Sequence, residues 1–192
     1  GSTLRLVLAG IAVSALFSSG VGLLKLVADP LRQLPEITFW LLGGLFGVSW
    51  KQLLWLLPVV LPSLAGILLL RWRLNVLSLA DETAFALGAA VRRERALLLL
   101  LSVAATAAVV SVSGMVGWVG LITPHVARRL HGADARRALP SAMLLGAIVV
   151  VACDDLARTL VAAEIPLGIV TSLVGAAAFA AVMIRPPVGG RA

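Results

Sequence analysis

From Ala96 to Ala127 the chain runs for 32 residues without a formal charge. One membrane crossing takes about 20 residues, so this stretch is too long for one span and too short for two of full length. Arg92, Arg93 and Arg95 precede it, and Arg128 and Arg129 follow it. Arginine and lysine collect in the loops that stay on the cytoplasmic side, so both ends belong to one side and the run crosses an even number of times. The glycines of "SGMVGWVG" mark the turn-back and leave two legs, Ala96 to Ser113 and Gly114 to Ala127. Legs this short imply burial within a bundle rather than full contact with lipid.

The rest of the chain agrees with a membrane setting. It is 60% hydrophobic and 13% charged, with a mean hydropathy of +1.06. Soluble domains sit near 45–50% apolar and about 25% charged. The net charge of +7 lies in short cationic clusters between apolar runs, not along one basic face, so nucleic acid is not an expected partner. Cys153 is the single cysteine, which excludes a disulfide framework or a cysteine metal cluster. The chain begins Gly-Ser rather than Met, either a cloning remnant or the start of a segment of something longer.

Further apolar runs are Leu6 to Leu24, Leu53 to Leu70, Leu139 to Cys153 and Ile165 to Ile184. Pro58 and Pro62 in the second are tolerable where neighbouring helices satisfy the freed backbone. "ITFWLLGGLFGVSW", Ile37 to Trp50, is short and glycine-rich and suits an interfacial or re-entrant piece. The expected fold is therefore an all-α polytopic helix bundle, one membrane domain over residues 1–192 with about six transmembrane helices. Both ends of the segment are expected in the cytoplasm. Twelve of the 16 Lys and Arg then lie inside, against Lys25, Arg32, Lys51 and Arg158 outside. Trp50 and Trp55 fall near the outer interface and Trp72 near the inner one, as an aromatic belt predicts.

In that topology residues 75–95 form a cytoplasmic loop, and "SLADETAFALG" within it predicts a short polar helix. Ser78 is its expected N-cap, with Asp81 and Glu82 near the positive end of the helix dipole. Leu79, Phe85, Leu87 and Val91 give it apolar surface, and Gly88 either ends it or permits close approach. Such a helix is either a solvated connector or an amphipathic element that docks in a groove of a soluble partner.

"ETAFALG", Glu82 to Gly88, resembles the EAA-xxx-G loop that permeases of ABC importers insert into their ATPase subunits. "GMVGWVGLITPHVARRLHGADARRALPSAMLLGA" and "AEIPLGIVTSLVGAAAF" resemble the FecCD/BtuC-type permeases, which import iron–siderophores, haem and cobalamin. "LVLAGIAVSALFS" and "ITFWLLGGLFGVSW" match the same family, so the resemblance spans essentially the whole chain. Family permeases have about ten membrane helices, and this chain resembles the last six.

The resemblance implies a bacterial inner-membrane permease subunit with no ATPase site and no cofactor of its own, ATP being used by a partner. The implied partners are an ABC ATPase, a periplasmic or lipoprotein substrate-binding protein, a second permease copy and membrane lipid. Asp81, Glu82, Thr83, Ala84 and Gly88 are the implied ATPase-coupling residues, with Thr83 departing from the first Ala of the motif. Arg158 and Glu164 are the implied docking residues for the binding protein. Arg128, Arg129, Asp134, Arg136 and Arg137 belong to an inner loop. Ala177 stands where the family usually has proline, which puts a helix kink in doubt.

Two other chemistries are raised by the ionisable residues. His125, His131 and Asp134 raise the question of zinc, but the neighbourhood offers too few ligands, and no metal is expected. Asp154 and Asp155 are the residues an ion-coupled secondary carrier would use, since intramembrane carboxylates invite a functional reading. Adjacent helical positions point about 100° apart and cannot share a proton, so local pairing with Arg158 is the expected role. A phosphate-binding G-x-x-x-x-G-K-[ST] loop does not occur, and no nucleophile–base set supports a hydrolase.

Overall fold

A computed structural model describes residues 2–160 and 165–184, so Glu164, Arg185 and Arg191 lie outside the described residues. Within these the secondary structure is helical: α1 Ser2–Val27, α2 Gln33–Leu42, α3 Trp50–Leu69, α4 Arg71–Leu77, α5 Asp81–Ala86, α6 Val91–Ser113, α7 Val119–His131, α8 Ala135–Thr159 and α9 Leu167–Ile184. Two compact units emerge, Gly1–Leu41 and Leu42–Ala192.

In the first unit α1 is an apolar helix with no buried residue in its membrane-length window. It passes to α2 through a turn built by Asp29, whose Oδ1 accepts from the amides of Leu31 (2.8 Å) and Arg32 (3.1 Å). Gln33 Oε1 accepts from the Asp29 amide in return, at 3.0 Å.

In the second unit α3 packs along α6, α7 along α8, and α9 against both α7 and α8. α3 starts at Ser49, where the hydroxyl accepts from the Gln52 amide and Gln52 Oε1 accepts from the Ser49 amide at 2.8 Å, a reciprocal capping box. Ser49→Ala is expected to lower thermal stability in detergent by about 1 kcal/mol, the usual value of an N-cap. An unchanged melting midpoint would show that the cap contributes nothing. Pro58 and Pro62 lie inside α3, which continues through both.

Four described helices are long and apolar enough to cross a membrane: Val7–Val27, Trp50–Leu69, Val91–Ser113 and Ala135–Thr159. α9 adds a shorter apolar helix at Leu167–Ala180 and runs on through Ala177. The second leg of the long uncharged run departs from expectation. Residues 114–118 are not helical, and α7 starts only at Val119, where Trp118 takes a positive φ of 67°. At about 1.5 Å per residue its 13 residues reach roughly 20 Å, short of a full crossing.

Burial is inverted relative to a soluble domain. Ala84, Ala89, Ala105, Ala127, Ala138 and Ala157 are buried, while Leu16, Phe17, Leu100, Leu144 and Leu173 are exposed. Small residues let helices approach closely where apolar burial against lipid offers little drive. The junction of residues 43–47, residues 113–118 and the start of α9 shows the closest approach. The Gly44 amide donates to Ser113 O at 2.8 Å, and the Gly168 amide faces Gly43 O at 3.5 Å. A Cβ on Gly168 would collide with Leu42 O and stand 2.9 Å from Met115 O.

Candidate functional site

The polar segment between α3 and α6 folds into two short helices that share one end of the second unit with the charged ends of α6, α7 and α8. α3 breaks at Leu70, and α4 follows at once. Ser78 is not the N-cap of α5, contrary to expectation. Its hydroxyl donates to Asn75 O at 2.7 Å, closing α4, and the N-cap position falls to Ala80, whose methyl cannot accept a hydrogen bond. A serine able to reach a nearby carbonyl competes with its own capping role.

α5 holds Asp81 and Glu82 in its first turn. The Gly88 amide donates to Phe85 O (2.9 Å) and the Ala89 amide to Ala84 O (3.0 Å), with Gly88 at φ 76°. That pair of bonds is the Schellman ending, which calls for a left-handed residue, so Gly88 terminates the helix. Nothing lies within 4 Å of where its Cβ would be.

Ala84 is 0% exposed and faces its own chain, as does Ala89, so the smallness of Ala84 serves internal packing. The outward face carries Glu82, Thr83 and Ala86, with Phe85 76% and Leu87 60% exposed. A phenylalanine that open on a short helix with an acidic first turn is the chief feature of the site. Its residue type marked it as apolar surface in the sequence, but not as the most exposed member of the set.

The segment is tied down by charge. Arg95 Nη2 lies 2.8 Å from Asp81 Oδ1 and donates to Leu77 O at 3.1 Å, so one guanidinium joins the end of α4, the start of α5 and the N-terminal part of α6. Arg73 Nη1 lies 3.3 Å from Glu94 Oε1, and its guanidinium rests over the Trp72 ring at 4.3 Å. Such partly exposed pairs contribute roughly 0–1 kcal/mol each, so they orient more than they stabilise.

Arg128 and Arg129 fall in the last turn of α7, and Arg136 and Arg137 begin α8, which corrects the expectation of one loop holding all four. The true connection is residues 132–134. Asp134 caps α8, its Oδ1 accepting from the Arg136 amide at 2.9 Å and from Asn75 Nδ2 at 2.7 Å. Asn75 Oδ1 accepts in turn from the Ala135 amide at 2.8 Å. The hydrogen bond from Asn75, then that from the Arg136 amide, hold the Asp134 carboxyl below its ordinary value of 3.8. Any stability from that charge is present above the ordinary value and is lost only as pH falls through the lowered one. Among the described residues no three His, Cys, Asp or Glu side chains group so as to hold a metal ion.

Near the opposite end of α8, Arg158 pairs with Asp154 through Nε (2.8 Å) and Nη2 (3.4 Å), the local pairing expected. Asp155 is exposed, and its carbonyl accepts from the Thr159 hydroxyl at 2.7 Å. The Asp154 carboxylate and the Asp155 carbonyl thus have different partners. Sequence reasoning missed Asn75, whose only signal is a lone amide among the cations and apolar residues of "RWRLNVL".

The profile of the FecCD transport family matches residues 1–185. The chain belongs to the FecCD transport family. Among curated proteins this FecCD chain is 44% identical over 186 residues to the hemin transport system permease protein HmuU of Yersinia pestis, covering 96% of the chain and 55% of that protein. It is 42% identical over 189 residues to the molybdate import system permease protein MolB of Haemophilus influenzae, covering 98% and 56%. A metal-chelate type ABC transporter solved in an inward-facing conformation superposes with a TM-score of 0.90 at 42% identity, over 94% of this chain and 58% of that one. The chain thus spans about half the length of the curated relatives it matches. Membership favours a transport permease over the ion-coupled carrier.

Proposed function

We propose that this chain is the membrane-embedded portion of a permease subunit in a binding-protein-dependent ABC importer. A separate ATPase subunit drives inward movement of a metal chelate such as an iron–siderophore, haem or a cobalamin. The observation that carries the reading is α5: a short helix with acidic first-turn residues, an open Phe85 and Leu87, and an anchor through Arg95 to the elements on both sides. An exposed aromatic on a rigidly held helix fits the helix-in-groove mode of recognition, with Glu82 and Thr83 at the rim. The end that bears α4 and α5 faces the cytoplasm in this reading, as its arginines favour. Arg158, with Glu164, faces the substrate-binding protein at the other surface, and a second permease copy completes the pathway.

Relatives named for hemin, molybdate and Fe(3+) dicitrate support import and leave the cargo to experiment. The test is uptake of labelled ferric siderophore, haem or cobalamin by proteoliposomes that hold the assembled transporter and its binding protein. Accumulation is expected to need ATP on the side bearing α5. Uptake driven by a proton gradient without ATP would overturn the proposal in favour of a carrier.

A further inference from the structure

We propose that Asn75 is a positioning residue that carries movement of α4 and α5 to the α7–α8 hairpin, a role that rests on the importer reading above. α4 is seven residues long, yet alternate positions reach different partners. Arg73 pairs with Glu94 of α6, Leu77 O accepts from Arg95 of α6, and Asn75 between them reaches the connection before α8. The α6 side also feels α5 through the Asp81–Arg95 pair and the short connection of residues 87–90. The hairpin side is 59 and 60 residues away in sequence at the two Asn75 bonds, so its tie to α4 is tertiary.

That tie has an unusual form. A cleft of about 400 Å³ lies between α4 and the hairpin, with Leu74, Asn75 and Ser78 on one wall and Pro124, Arg128 and Ala138 on the other. α4 also packs against α8, and the cleft opens beside that contact. Asn75 spans the edge of this cleft with one planar amide, donating at 2.7 Å and accepting at 2.8 Å. Apolar contact is non-directional and lets helices slide, whereas two bonds to one amide fix both distance and orientation. Neither bond ends on a loose side chain. One ends on the backbone amide of the first residue of α8, the other on the carboxylate that caps α8 through Arg136. The carboxylate accepts at both contacts through Oδ1, and the Asn75 bond in turn lowers its proton affinity. Serine would be too short for both bonds, and an ionised aspartate could not donate.

The experiment uses the assembled transporter in proteoliposomes and reads ATP turnover, uptake and retained ATPase subunit in Asn75→Leu, which keeps volume and removes both bonds. ATPase retention and turnover are expected to stay near wild type while uptake falls about tenfold, within the usual range of a coupling free energy. The exchanged pair Asn75→Asp with Asp134→Asn restores donor and acceptor in swapped places and is expected to recover uptake, where Asn75→Asp alone does not. Amide hydrogen exchange at Ala135 is the readout that needs no cargo. Loss of one net hydrogen bond should speed it roughly 2- to 12-fold in Asn75→Leu. Unchanged exchange at Ala135, or uptake and turnover that fall together without rescue by the exchanged pair, would overturn the role of Asn75. If the wild-type transporter itself shows no ATP-driven uptake, the importer reading fails, and the exchange result still reports on the Asn75 bonds.

Discussion

Gly168→Ala is expected to destabilise the second unit by about 1–3 kcal/mol, the typical range for overpacking a filled site. The added methyl would press on Leu42 O and Met115 O, which are backbone atoms and cannot swing aside as a side chain can. The paired control is Gly20→Ala in α1, where nothing lies within 4 Å of the new Cβ. There the change should stabilise the helix by roughly 0.5–1 kcal/mol, since glycine in a helix interior loses more backbone entropy than alanine. Thermal melting in detergent, followed by size-exclusion chromatography, reads both. The two variants should move in opposite directions, and a Gly168→Ala protein that melts with the wild type would contradict the backbone junction.

Phe85→Ala should produce the largest loss of affinity for the ATPase subunit. Full burial of a phenylalanine side chain is worth about 1.5–3 kcal/mol, or roughly 10- to 150-fold in affinity. Because Phe85 is 76% exposed within its own chain, the substitution removes little internal packing, and membrane insertion should be unaffected. Glu82→Gln should do less, since an exposed charge near a helix start contributes about 0.3–1 kcal/mol, roughly 2- to 5-fold. Titration of solubilised transporter with the ATPase, together with stimulated ATP turnover, measures both. If Phe85→Ala binds and stimulates as the wild type does, α5 is only a connector.

The break within the long uncharged run was legible because charge and glycine survive in the sequence without any knowledge of contacts. Arg95 and Arg128 bracket an uncharged run, and the helices indeed break at Gly114 and resume after Trp118. The length of α7 was not legible, since residues 114–118 leave the helix to meet α9 and the loop after α2, partners distant in sequence. Ala84 misled for a related reason. A helix of six residues has fewer than two turns, so no apolar period tells which face is inward. A small residue suits tight packing against either a partner or its own chain, and here its own chain encloses it. The ties of Arg95 were not legible because its two acceptors, Asp81 and Leu77 O, are brought to it only by the folding of α4 and α5. Asn75 could not be paired with Asp134 by any local rule, although Asp134 is recognisable as a helix start in "GADARRAL".

The junction at Gly43 and Gly168 also sets a timetable for synthesis. Gly44 can bond Ser113 once α6 has emerged, but the approach of Leu42 and Gly43 to Gly168 waits for α9. The two glycines are about 125 residues apart, so at roughly 5–20 residues per second the first partner stands ready for about 6–25 s before the second exists. Until Ser113 is made the loop after α2 lacks even the Gly44 bond, and from Ser113 to Gly168 it has that bond without its α9 partner. A ribosome stalled before α9 would therefore leave α7 and α8 made and Gly43 O without the Gly168 amide that faces it.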